Sequence, residues 1–146
     1  MTERLYYRDA RLLEFDATVV EHAEDAYHVV LDRTAFYPTS GGQPNDTGRL
    51  AAARVVDVKE AGDRIVHVVD TPVPLGTVHG SVDPARRLDH VQQHSAQHLL
   101  SAIAADRFGW ETVSVHFGEE FADAFGSNFL LQSGGIVPCL LEFRLP

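Results

Sequence analysis

The sequence has almost no cysteine, methionine or tryptophan; each occurs once in 146 residues. A lone Cys139 cannot close an internal disulfide, which makes a reduced, cytoplasmic chain the expectation. Also missing is any apolar run approaching the roughly 20 residues that cross a bilayer, so no membrane partner is expected. The N-terminal stretch MTERLYYRDARLLEF is charged and lacks the apolar segment and cleavage site of a secretory leader. Basic residues are scarce too: 12 lysines and arginines stand against 21 acidic residues, for a net charge of -9. A protein that grips nucleic acid over a long surface carries a basic stripe to replace phosphate counterions. Here the longest basic run is Arg86-Arg87, which argues against broad, non-specific binding, and no DNA partner is expected. A few local donors suffice to hold one end of an RNA, and Arg33, Arg49, Arg86 and Arg87 are candidates; surface charge that solubilises the fold is the commoner reading of any one of them. No GKS or GKT follows a glycine-rich loop, so nothing marks a nucleotide-activating site.

What is present divides into two parts, 1–83 and 84–146. From Leu12 to about Pro84 the hydrophobic pattern has a period near two. Phe15, Ala17 and Val19 alternate with Glu14, Asp16 and Thr18, and Tyr27, Val29 and Leu31 resume the alternation after a turn at AED. RLAAARVVDV reads as one further strand, followed by RIVHVVD and TVHGSV. Five or six short strands joined by tight turns predict a small antiparallel barrel, which removes exposed edges and encloses a core. One connection is long. PTSGGQPNDTG, residues 38–48, carries Gly41-Gly42 between Pro38 and Pro44 and has more polar groups than a simple link requires.

The second part is built on DPARRLDHVQQHSAQHLLSAIAADRF. Asp83 is placed to cap a helix that Pro84 opens, and Gly109 closes it. Leu88, Val91, Leu99, Ala102 and Ile103 share one arc and are expected to be buried together. His90, His94 and His98 follow at intervals of four along its border. Side chains four apart sit one above the other, so two imidazoles can grip one ion; a hydrogen-bonded boundary role is the competing reading. Ser95 stands where a zinc protease of the HExxH type carries glutamate, which removes that class. WETVSVHF then reads as a strand with Ser114 and His116 on one side. From about Glu119 the chain is poor in charge and has no clear period, so its apolar side chains are expected to tuck into a groove or to be covered by a second chain through self-association.

RTAFYPTSGGQPNDTG, followed about forty residues later by RRLDHVQQHSAQHLLSAI, resembles the editing module of alanyl-tRNA synthetases and the free-standing AlaX editing proteins. The joint occurrence of the FYPxSGGQPxDxG loop and the HxxxH helix carries the likeness, over roughly Leu12 to Glu120. The resemblance implies an α+β fold: a translation-factor-like β-barrel followed by an editing domain built on one long helix. It implies zinc held by His94 and His98, with Cys139 as a further ligand. Gly41, Gly42 and Gln43 would face the acceptor end of tRNA(Ala), Thr34 would sense a serine hydroxyl, and His116 is a further candidate beside the substrate. The implied activity is hydrolysis, in trans, of tRNA(Ala) misacylated with serine or glycine. This sequence departs from the family at the second ligand pair. Where the family has CxxxH, Cys139 is followed by Leu140, Leu141, Glu142 and Phe143. A shortened relative with a weakened metal site and impaired activity is therefore expected, the alternatives being a non-catalytic module that binds the tRNA end or a synthetase, and an inactive remnant.

Overall fold

The computed structural model describes the backbone of residues 1–117, 121–126, 130–131, 135–136 and 139–144, with side chains as far as residue 112. In chain order the strands are β1 (Glu3–Arg4), β2 (Glu14–His22), β3 (His28–Leu31), β4 (Arg33–Thr34), β5 (Gly48–Leu50), β6 (Ala53–Ala61), β7 (Arg64–Val69) and β8 (Gly76–Val82). Helix α1 (Pro84–Phe108) follows, and then β9 (Thr112–Phe117), β10 (Phe121–Gly126), β11 (Leu130–Leu131), β12 (Gly135–Ile136) and β13 (Cys139–Arg144). The class is α+β. No helix among the described residues is long and apolar enough to cross a membrane.

Two compact units share the chain. One comprises Met1–Ser40 with Asn45–Arg87, the other Gly41–Pro44 with Leu88–Pro146. The tip of the glycine loop thus belongs with the helix, although it is an insertion between strands of the first unit.

In the first unit six strands close on themselves in the order β2-β3-β7-β6-β5-β8. Alternation decides what lies inside: Phe15, Ala17 and Val19 of β2 are buried while Glu14 and Asp16 are exposed. They join Val29, Leu31, Phe36, Leu50, Val55, Val58, Ile65 and Val69 in one apolar core. Each fully buried valine, leucine or phenylalanine contributes about 1.5–3 kcal/mol, so this set dominates the unit's stability. RLAAARVVDV is not one strand. It breaks at Ala51-Ala52 into β5 and β6, with Ala51 at φ 51°. The turn contains no glycine or asparagine to announce it, because the flanking ladder forces an alanine into the left-handed region.

Gly48 permits the closest approach in the barrel. A Cβ there would lie 2.1 Å from the Ser81 carbonyl oxygen and 2.9 Å from the Phe36 ring. Backbone on the one side and a core ring on the other leave no room to yield. Gly48→Ala is expected to cost at least the 1–3 kcal/mol or so typical of overpacking, read as a lower urea midpoint at unchanged m-value; an unchanged midpoint would show that β5 and β8 can separate there.

The second unit holds α1 from Leu88 onward and an antiparallel sheet ordered β13-β10-β9, with Asp123 opposite His116 and Gly126 opposite Cys139. The stretch after Glu119 therefore contains strands where the sequence pattern has no clear period. Its role in self-association, and the side chains of His116 and Cys139, lie outside the described residues.

The helix buries the opposite stripe from the one its hydrophobicity suggests. Leu88, Val91, Leu99 and Ile103 are exposed, while Arg87, His90, Gln93, Gln97 and Ala104 are buried. Burial of the polar stripe is tolerable because partners lie one turn away: Gln93 Nε2 donates to Asp89 Oδ2 at 2.9 Å, and Gln97 Nε2 to Ser101 Oγ at 2.7 Å. Polar groups that bring their own hydrogen bonds lose little on leaving water, so polarity alone does not choose the buried face.

Candidate functional site

The site begins at the neck of the glycine loop. Tyr37 and Asp46 exchange two bonds, Asp46 N–H to the Tyr37 carbonyl at 3.0 Å and Tyr37 N–H to Asp46 Oδ2 at 2.6 Å. The Asn45 amide donates to Thr39 Oγ1 at 3.2 Å. With the neck closed, Gly41 and Gly42 take φ values of 59° and 84°, which only glycine adopts cheaply in succession. This double reversal leads into Gln43, which is nearly buried.

Within the second unit Gln43 meets the helix. Its Oε1 lies 3.1 Å from Nδ1 of His94. An amide oxygen can only accept, so His94 Nδ1 carries the proton and Nε2 presents its lone pair. That Nε2 lies 2.9 Å from Nε2 of His98, one turn on. The rings are 4.6 Å apart at their centroids and tilted by 57°. Partial desolvation first, and the neighbouring His98 second, hold His94 below the usual histidine pKa, so it stays neutral at pH 7, the form in which imidazole ligates a metal.

The arrangement offers a metal ion two nitrogens, one short of the three protein ligands of a catalytic zinc site. Two Nε2 atoms converge within the span that one ion bridges at roughly 2.0–2.1 Å from each nitrogen, and Gln43 fixes the tautomer of one of them as outer partners of metal ligands commonly do. Among the described residues no group of three or more histidine, cysteine or acidic side chains gathers to hold a metal. His90, the third histidine of the line, is buried rather than presented beside the pair.

Of the residues expected at the site, the structure brings together Gln43, His94 and His98, with Gly41 and Gly42 forming the turn that delivers Gln43. Thr34 is in the other unit and fully buried. Its hydroxyl lies 2.8 Å from His67 Nε2 and accepts the Phe36 amide at 3.1 Å. Reading a serine hydroxyl would require Thr34 to exchange one of those bonds.

The arginines also sort themselves. Arg87 is not a free donor for RNA: it is 7% exposed, and it pairs with Asp46 through Nη2 to Oδ2 at 2.6 Å. Its remaining donors reach the carbonyls of Ala10 and Ala35, both at 2.6 Å. A position in the first turn of a helix reads as exposed in sequence, and only the folded barrel closes over it. Arg86 Nε donates to the Asn45 carbonyl at 2.9 Å, and Arg33 lies 3.6 Å from Asp32. Arg49 is in no ion pair among the described residues. Sequence reading missed the buried His67 and the pairing of Arg87 with Asp46; for the latter the DxG end of the loop motif and the RR pair were the only signals.

Comparison with known proteins identifies the family. The family model described as tRNA synthetases class II (A) matches residues 6–86. The chain belongs to that family. More specifically it is an AlaX-like domain. It is 41% identical over 133 residues to the alanyl-tRNA editing protein AlaX-M of Methanosarcina acetivorans, covering 81% of this chain and 54% of that protein. It is 39% identical over 127 residues to the alanyl-tRNA editing protein Aarsd1 of Bos taurus, covering 76% and 29%. It is 45% identical over 106 residues to the alanine–tRNA ligase of Pyrococcus furiosus, covering 68% and 11%. The AlaX-like chain therefore spans about half or less of the length of these relatives.

Proposed function

We infer that the chain acts on tRNA(Ala), hydrolysing in trans the ester of a wrongly attached amino acid such as serine or glycine. The observation that carries this reading is the convergence of His94 Nε2 and His98 Nε2, 2.9 Å apart, with Gln43 of the glycine loop bonded to His94. The names of the relatives supply the substrate class, and a translation-factor-like character of the barrel would suit a tRNA partner. Two imidazoles of this kind would hold zinc, with Cys139 as the further ligand. Zinc bound there would supply a Lewis acid or an activated water at neutral pH. Gln43 keeps His94 in the ligating tautomer, and the backbone amides at Gly41 and Gly42 offer donors that a substrate carbonyl can approach without a side chain in the way.

The test uses tRNA(Ala) charged with serine, with alanine as control. Wild-type protein is expected to release serine selectively but slowly, with less than one zinc per chain by elemental analysis because the second ligand pair is reduced to Cys139; His94→Ala or a chelator lowers the rate at least tenfold. No release above buffer would overturn the hydrolase reading. A second reading, a non-catalytic module that holds the tRNA end, is favoured by there being two rather than three converging ligands among the described residues. Saturable tRNA binding without zinc and without turnover would select it.

A further inference from the structure

A second concave site lies wholly in the barrel unit. A cavity of about 300 Å³ is lined by Thr47, Arg49, Arg54, Ser81, Asp83 and Pro84 among others. Arg49 and Arg54 stand directly opposite each other across the β5–β6 hairpin. Like charges facing one another across an antiparallel pair repel, and neither arginine is in an ion pair among the described residues. Both are exposed, while Arg49 Nη2 donates to the Ala52 carbonyl at 2.8 Å, which steadies the guanidinium. The carboxylate that lines the cavity is already committed: Asp83 Oδ1 accepts the amides of Ala85 at 2.9 Å and Arg86 at 3.2 Å as the cap of α1. Asp70 accepts the Arg54 amide through Oδ1 at 2.8 Å.

The Asp70 carboxylate, held low first by the Arg54 amide and also by attraction to Arg54 and Arg49, offsets part of that repulsion, and both arginines remain exposed where they line the cavity. An anion between them turns repulsion into attraction, and a guanidinium matches a phosphate in two-pronged fashion. Thr47 and Ser81 also line the cavity. The geometry points to a phosphate subsite formed by Arg49 and Arg54, which takes a backbone phosphate of the RNA that the proposed function requires. This inference rests on that reading. It also answers how so acidic a protein holds RNA: through a discrete pair of arginines rather than a basic stripe.

The experiment measures the affinity of the full chain for an uncharged tRNA(Ala) acceptor-stem minihelix across a salt series. Arg49→Gln/Arg54→Gln is expected to bind about tenfold more weakly at ~0.1 M salt and to reduce the slope of log K against log salt by about one for each phosphate no longer neutralised. Arg49→Lys/Arg54→Lys keeps the slope and recovers part of the affinity, because the charge remains while the fork is gone. Melting curves establish that both variants fold. Equal affinity and slope in wild type and the glutamine variant would overturn the subsite and leave the function standing. Should wild-type protein fail to bind the minihelix at any salt, subsite and function fall together; serine release that survives the glutamine changes at wild-type KM removes the subsite alone.

Discussion

Arg87→Ala is expected to destabilise the protein by about 3–5 kcal/mol, the cost of stripping one partner from a buried ion pair. Arg87 and Asp46 are 7% and 0% exposed, so water cannot take the place of a missing partner. The guanidinium contacts Asp46 at both oxygens, with Nη2 to Oδ2 at 2.6 Å and Nε to Oδ1 at 3.3 Å. It also supplies hydrogen bonds to the Ala10 and Ala35 carbonyls. Truncation to alanine removes all of these at once and leaves the buried Asp46 carboxylate without its cation, although the Tyr37 amide still donates to Oδ2. Arg87→Lys preserves charge but offers a point rather than a planar fork, so it is expected to recover only part of the loss. Asp46→Ala should cost a similar amount, and the double variant much less than the sum, since the second change removes the group that the first left stranded. Urea denaturation of the four proteins completes the cycle. A fall of under about 1 kcal/mol for Arg87→Ala would mean that water reaches Asp46 after all.

The pair also ties together two points of the chain within the barrel unit. The chain leaves the barrel unit twice, before Gly41 and after Arg87, and returns at Asn45. Arg86 holds the Asn45 carbonyl and Arg87 holds the Asp46 carboxylate, so the point of return and the second departure are tied side by side.

The barrel was legible because alternation is a strong signal when one face of each strand is buried: Phe15, Ala17 and Val19 go inward as their spacing demands. The Ala51 turn was not, since the positive φ is imposed by its neighbours and falls on a residue that does not favour it. The helix was legible in extent, from the Asp83 cap to Gly109, but not in orientation. Its apolar arc is a statement about Leu88, Val91, Leu99 and Ile103 alone, whereas the buried stripe is set by what the fold packs against it and by whether Gln93 and Gln97 find partners. The meeting of Gln43 with His94 could be read only from two motifs considered jointly, because 51 residues separate them in sequence. His67 gave no warning, being one more residue in an alternating strand.

That buried His67 gives the stability of the barrel a pH dependence of definite sign. It is fully buried, and loss of hydration pushes its pKa down from 6.5 to about 4. The Val29 carbonyl, 3.3 Å from Nδ1, can only accept, so Nδ1 carries the proton and Nε2 accepts from the Thr34 hydroxyl at 2.8 Å. The network closes when Thr34 Oγ1 accepts the Phe36 amide. Protonating Nε2 would force two donors together inside an apolar core. The unfolded chain binds this proton near pH 6.5 and the folded chain only near 4, so the contribution is fully present above pH 6.5 and is lost as pH falls toward 4. At 1.36 kcal/mol per pH unit for one proton, the loss across that window is about 3 kcal/mol. Carboxylates held low by hydrogen bonds, Glu14 to Ser81 and then His79, and Asp25 to His28 and then Tyr27, act below about pH 4.5. His79 is raised by Asp16 and then Glu14, which gives it the opposite sign, but it lies in water where screening weakens the effect. Between about pH 4.5 and 6.5 the urea midpoint should therefore fall steadily with acidification. In His67→Gln the amide can still donate to Val29 and accept from Thr34 but cannot titrate, so its midpoint should be lower at pH 7 and nearly flat across the same window. Parallel curves for the two proteins would place the acid sensitivity on another group and show that the His67 ring takes up its proton without opening the core.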